Sequence, residues 1–317
     1  VPVSRRMSEK TIRRAIEIAN VGIRRRFLQA LQLIRDTSTL EELAVLLEGG
    51  RIGEALAGAE RAAGMVTSAI TASYLSGASE AIAMMAMAPG TVSFDLSNQR
   101  AVDFMRYSRL SLVREMVYDQ RQVIGRVMAD AIEDGLNPRA QARLFRASVG
   151  LTDYQAQVVR NYELALRRGD VENALGRELR DARSDRRIRA AFSGRGAPLS
   201  QQEITRLVDR YRQGWIKYRS EAIGRTEALR SVHQGAEDMW RQAFDSGDVD
   251  PASVQRTWRT HMDGRQRDSH GAMTGQKRPV GEPFRSGAGY ALRYPGDPTA
   301  PASETIHCRC VVVTRIL

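Results

Sequence analysis

From Ser8 to about Asp36, Ile12, Ile16, Ile18, Val21, Ile23, Phe27, Leu31 and Ile34 recur at helical spacing between arginines. This predicts one long amphipathic helix. Ser38 followed by Glu41 has the form of a capping box and predicts a short second helix through Leu47, stopped by "EGG". From about Ile52 to Met87 the chain is dominated by Ala with Gly, Ser and Met, and reads as helix with one or two breaks near "SGAS". Its Ala/Met stripe reads as close helix packing, since Met fills irregular gaps and Ala lets backbones approach. Pro89 and Gly90 end that run, and Val92, Phe94 and Leu96 alternate as a short extended segment. Another long helix is predicted from about Gln99 to Asp134, with "DGLNPRA" as a turn, and Thr152 with Gln155 caps a helix through Arg168.

Residues 176–199 are charged, punctuated by glycine and poor in large apolar groups, which reads as a linker or exposed arm. Ser200 and Glu203 then cap a helix whose Ile204, Leu207, Tyr211, Trp215 and Tyr218 share one face, and a further helical stretch follows with a bend at Gly224. From Val254 the texture changes to short strands and Gly/Pro-rich turns, with "QRTWRTHMD" and "CRCVVVTRI" as the clearest strands. Trp215, Trp240 and Trp258 occupy apolar positions and read as core anchors, and His233 as a satisfied, partly buried side chain. The expected fold is mainly α: an elongated helical body over 1–175, the linker or arm over 176–199, and a small α+β domain with short strands over 200–317.

The chain has 317 residues with a net charge of +11, and its cations are arginine apart from Lys10, Lys217 and Lys277. From Glu221 onward the balance is 13 Lys+Arg against 12 Asp+Glu, so the excess lies in the first 220 residues. Arg-rich helices suit phosphate or carboxylate, which admits nucleic acid or an acidic protein surface as partner, with a solvated face as the alternative. The smoothest apolar run, "AIAMMAMAPG", is too short for a membrane span. The chain starts at Val1 without Met, which points to a processed or incomplete N-terminus. Two cysteines, both near the C-terminal end, argue against a disulfide framework and fit a reducing compartment.

Those cysteines, Cys308 and Cys310 in "ETIHCRCVVV", fall within the last ten positions, and His261, His270 and His307 share the final quarter of the chain. In a strand Cys308 and Cys310 point to one side while His307 and Arg309 face away, so two thiolates could share one ion. A tetrahedral zinc needs four ligands: Cys308, Cys310 and His270 supply three, with His261 or Asp263 as the fourth. The alternative is a hydrogen-bonded network of Asp263, Arg265 and His270, with the cysteines as small core residues or a C-x-C disulfide. Arg225 and Glu227, two apart on a helix, do not face each other, so each must contact another segment; with Thr226 they read as part of the same structural network, directed at the 263–270 loop or the cysteine strand.

The ordered set Arg225-Thr226-Glu227, Trp258, Asp263-x-Arg265 with His270 and Gly275-Gln276, Pro295, and Cys308-Arg309-Cys310 resembles the phage Mu protein F-like family of head morphogenesis, or minor capsid, proteins. "VGLTDYQAQVVRNYELALRRG" looks like the helical segment ahead of this domain in many members. Many members also resemble zinc proteins here, with a C-x-x-C pair after the Asp-x-Arg element; at those positions this chain has Arg267 and His270. Arg267 cannot be a ligand, whereas His270 can replace a thiolate. The resemblance implies a bacteriophage structural protein of the virion, acting inside the capsid near the portal during head assembly and DNA packaging, and in the host bacterial cytoplasm while heads are built. Its implied partners are the portal protein, scaffold or major capsid protein, and packaged double-stranded DNA through the Arg-rich helices.

Two other classes compete with this reading. A metal-dependent enzyme or toxin-like effector delivered with the genome would use Glu227, Asp263 and His270 as acid and base around a metal. No nucleophile motif, phosphate loop or H-E-x-x-H accompanies them, so the expectation is a protein that binds and does not catalyse. A portal or connector component is the third reading, suggested by the helical first half.

Overall fold

The computed structural model describes residues 8–56, 58–85 and 92–317. The helix end expected at Pro89 and Gly90 lies outside them. The first predicted helix is α1 (Glu9–Asp36), which buries Ile12, Ala15, Ala19, Ile23, Phe27, Leu31 and Ile34. Ile18 and Val21, included in the predicted stripe, are exposed, because the buried face advances in steps of three and four. The next cap falls one residue later than expected. Thr39, extended at φ −65° and ψ 168°, accepts from the Glu42 N–H while Glu42 reaches back to Thr39, opening α2 (Leu40–Glu48).

After a single turn, α3 (Ile52–Ala55), the chain runs as α4 (Gly58–Met85) without the break expected at "SGAS". A Cβ on Gly77 would stand 2.0 Å from the Val232 carbonyl oxygen, and one on Gly235 would stand 1.9 Å from that of Tyr74. These glycines mark where α4 and α10 (Gln201–Asp245) touch backbone to backbone. Gly224 likewise bends nothing: α10 is continuous for 45 residues, and a Cβ there would meet Asn20 Oδ1 of α1 at 2.7 Å. The segment at Val92–Leu96 is irregular, with Phe94 set edge-on to Tyr74.

The next helix matches its expected span closely, as α5 (Gln99–Glu133). The expected "DGLNPRA" turn gives way at Asn137, which caps α6 (Pro138–Ser148), and the Thr152 and Gln155 box opens α7 (Asp153–Arg168), which Gly169 ends at φ 72°. Residues 176–199, read above as a linker or arm, follow α8 (Val171–Leu175) and carry a 3-10 turn at Ala182–Ser184 and then α9 (Asp185–Phe192). Their charges pair: Arg180 with Asp185 at 2.8 Å, Arg183 with Asp181 at 2.9 Å, and Arg187 with the capping Glu203 at 2.8 Å. Ile188 is fully buried.

Two compact units result. One comprises Ala30–Ala62 and Val113–Ser220. In it α2 packs on α6, and the loop after α6 is held by polar side chains: Gln120 bonds Gly150 N and Leu151 O, each at 3.1 Å, and Arg219 donates to Gly150 O at 3.1 Å while pairing with Asp119. The other unit takes Val1–Gln29, Ala63–Leu112 and Glu221–Leu317. It contains β1 (Val254–Arg259), α11 (Asp268–Gly271), β2 (Lys277–Pro279), β3 (Phe284–Arg285), β4 (Ala291–Leu292), α12 (Ala302–Thr305) and β5 (Val311–Ile316).

The strands form an antiparallel sheet in the order β2-β1-β5, with Trp258 opposite Val312, and a separate β3-β4 hairpin. Beneath them Leu229, Trp258, Met273, Phe284, Leu292, Cys308, Cys310 and Val312 make one apolar cluster. On the same face of β1 as Trp258, Arg256 is buried; it pairs with buried Glu237 at 2.8 Å and donates to the carbonyls of Pro279, Glu282 and Arg293. Among the described residues no helix is long and apolar enough to cross a membrane.

Candidate metal centre

Cys308 and Cys310 do not lie in a strand as expected, because β5 begins only at Val311. His307, at φ 58°, turns the chain out of α12, and the Cys308 N–H donates to Thr305 O at 3.3 Å. A positive φ is uncommon for a residue with a side chain, and here it comes just before the three residues that stay outside the ladder. Both cysteines are buried, and Arg309 between them reaches Asp263. The thiols are free, so the C-x-C disulfide alternative is not what the structure contains.

His270, buried on α11, meets both thiols: its Nδ1 lies 3.4 Å from each Sγ. All three donor atoms fall within 4.8 Å of one another. For comparison, zinc bonds of about 2.3 Å to sulfur and 2.0 Å to nitrogen in a tetrahedron place N and S about 3.5 Å apart. The donor set and its spacing therefore fit a tetrahedral ion held on three sides by His270, Cys308 and Cys310. A shared hydrogen bond holds the Cys310 thiol well below its ordinary value and pushes that of Cys308 up, with burial raising Cys308 further. The Cys310 backbone N–H also points at Cys308 Sγ, at 3.5 Å. Two buried thiols beside an imidazole offer donors whose protons a divalent cation can replace.

The residues around the cluster fix its geometry. Thr260 Oγ1 donates to His270 O at 2.6 Å, accepts from Trp258 Nε1 at 3.2 Å and lies 3.6 Å from Cys310 Sγ. Trp258 sets its ring edge-on to His270, centroids 5.6 Å apart. On the far side of the imidazole, Nε2 lies 3.0 Å from Glu304 Oε2. In front of the cluster is an opening of about 20 Å³ lined by His261, Arg265, Gln266, Arg267, His307 and Arg309 besides the three donors. Such a volume admits about one water-sized group.

The other expected site residues have different neighbours. Asp263, offered as a fourth ligand, is gripped by both terminal nitrogens of Arg309, which holds its carboxyl well below the usual range. It also accepts from the Arg265 N–H at 3.1 Å, closing the loop on itself. His261, the other candidate, is half exposed at the rim, 3.7 Å from Asp263. Neither belongs to the three-donor group. Glu227 pairs with Arg230 at 3.0 Å, and Arg230 donates to Gly296 O at 3.1 Å, tying α10 to the "YPGDP" turn. Thr226 is buried on α10, and Arg225 lies close enough to His307 to oppose its protonation, after burial the main reason that its pKa falls. The expected network is thus several local pairings around α10 and the 263–270 loop.

Glu304, Ser269 and Thr260 were not among the residues singled out from sequence. Glu304 stood in view, four positions before Cys308 in "ETIHCRC", but only the fold brings it to His270.

Fold and site together define a mainly helical protein with a small sheet-bearing region organised around a buried His/Cys/Cys cluster. Residues 156–313 match the model of the family described as Phage Mu protein F like protein. The match spans 158 of the 317 residues and supports a phage head morphogenesis protein. No curated protein and no solved structure matches it.

Proposed function

We propose that this protein is a minor head component that works by binding, inside the capsid near the portal, during assembly and DNA packaging. Its sheet-bearing region is an interaction module fastened by zinc on His270, Cys308 and Cys310. The observation that carries this reading is the convergence of these three buried donors in the core of the region that matches the family. A bound ion would link α11 to the segment ahead of β5, two pieces 38 residues apart in sequence that share a small apolar cluster. The chemistry it would supply is a cross-link between these segments, with its fourth position left to a water-sized group in the opening. Portal, scaffold or major capsid protein are the partners that fit such a module, and packaged DNA is the partner that fits arginine on the helices, through salt-sensitive contacts blind to sequence.

A binding role also agrees with the surroundings of the cluster. The opening holds about one water-sized group, and neither Glu227 nor Asp263 lines it. The acid and base of an enzyme would have to be shared with Arg230 and Arg309.

The test is complementation of a phage lacking this protein with the wild type, Cys308→Ser or His270→Ala. The expected result is fewer DNA-filled heads with either variant at equal protein level. Full, infectious particles in normal number from the strain lacking the protein would contradict the assembly role.

A further inference from the structure

Glu304 is 5 % exposed, and its ion-pair partner is the equally buried His270. A buried carboxylate is costly unless it is paired and hydrogen-bonded. Both needs are met locally. His270 Nε2 lies 3.0 Å from Oε2, and the Ser269 hydroxyl spans the two oxygens at 3.1 and 3.3 Å. The backbone of this pair of residues is fixed as well, because Gly287 N–H donates to Ser269 O at 2.8 Å and Thr260 Oγ1 to His270 O at 2.6 Å.

We propose that Glu304 is a positioning residue of the metal centre. By accepting the Nε2–H of His270 it selects the imidazole tautomer whose Nδ1 lone pair faces the two sulfurs, and so strengthens metal binding. The inference rests on the zinc reading above and extends it to a residue outside the donor set.

A neutral imidazole has one donor and one acceptor nitrogen. An ionised carboxylate can only accept, so the nitrogen facing Glu304 carries the proton and the other is free. That free nitrogen is Nδ1, the atom 3.4 Å from both Cys308 Sγ and Cys310 Sγ. The charge balance points the same way. A divalent cation with two thiolates is neutral, and it polarises the imidazole so that the Nε2–H is a stronger donor to Glu304. In return the carboxylate fixes the tautomer and orientation of the ring, the known effect of a carboxylate behind a metal-bound histidine. The sequence arrangement is compact: residues 304–310 carry the carboxylate and both sulfurs, and Ser269-His270 carries the rest.

The test uses the full chain. Zinc affinity is measured by competition with a chromophoric chelator for the wild type, Glu304→Gln and Ser269→Ala, and thermal melts of the metal-stripped proteins check the fold. Glu304→Gln keeps an acceptor oxygen but loses the charge, so affinity should fall about tenfold or more, with a smaller loss for Ser269→Ala. In parallel, ¹⁵N NMR of the wild-type histidines should show His270 protonated at Nε2. Unchanged affinity in a folded Glu304→Gln protein, or a proton on Nδ1 of neutral His270, would overturn the inference. If the wild type takes up no zinc, the zinc reading fails, and the tautomer in the metal-free protein alone decides whether Glu304 orients the ring.

Discussion

At the scale of single residues, the sheet-bearing unit depends on buried polar groups whose partners come from distant segments. Arg256 and Glu237 are both almost fully buried, and Arg256 also satisfies three backbone carbonyls. Removing Arg256 leaves buried Glu237 with only the Gly281 N–H at 2.8 Å and Arg241 at 3.5 Å, and leaves three carbonyls without their donor, so Arg256→Ala should destabilise this unit by about 3 kcal/mol, measured by urea unfolding. A loss near zero would mean that the pair is not buried as described. His233 gives the unit a pH dependence. Burial, and after it the Arg256 charge, lowers its pKa to about 3 from the ordinary 6.5. The unfolded chain therefore takes up the proton first as pH falls. His233 contributes fully above about pH 6.5, and stability is lost below it down to about 3, with a slope of up to about 1.4 kcal/mol per pH unit. His233→Gln should flatten that part of the curve in chemical denaturation from pH 7 to 4, and an unchanged slope would refute the assignment. The candidate site was only partly legible at this scale. Scarce residue types crowded into one quarter of the chain pointed to His270, Cys308 and Cys310. Glu304 and Thr260 are ordinary residues in the sequence and acquire their roles only from the way β1, α11 and α12 meet.

At the scale of elements, α4 and α10 touch through glycine. Gly235→Ala would set a Cβ 1.9 Å from the Tyr74 carbonyl oxygen, which only a shift of one helix can relieve. The expected cost is about 1–3 kcal/mol or more, read as a lower Tm, whereas alanine at exposed helical Gly125, with nothing within 4 Å, should leave Tm unchanged or raise it. Equal responses at the two positions would argue against the crossing. The spans of α1, α5 and α7 and the caps at Thr152 and Ser200 could be read directly, because they depend on neighbours a few residues apart. "SGAS" and Gly224 misled for the opposite reason. Glycine permits a break and a close approach alike, and only the partner helix, far away in sequence, decides between them. The same holds for "HCRC", where His307 has a positive φ and the strand begins only at Val311.

At the scale of the molecule, the ordered motifs along the chain carried more than any one of them. Arginine excess and helix content alone fit many proteins, whereas the succession from Arg225 to Cys310 pointed to a phage head family that the match over residues 156–313 bears out. Residues 1–155 lie outside that match. The central claim joins family and site: a head protein whose interaction region is fastened by one metal ion. Elemental analysis of protein purified without chelators tests this most directly, with Cys308→Ser and His270→Ala alongside. The account predicts one zinc per wild-type chain and its loss from both variants. A wild-type protein with free thiols and no metal, melting as its variants do, would contradict it.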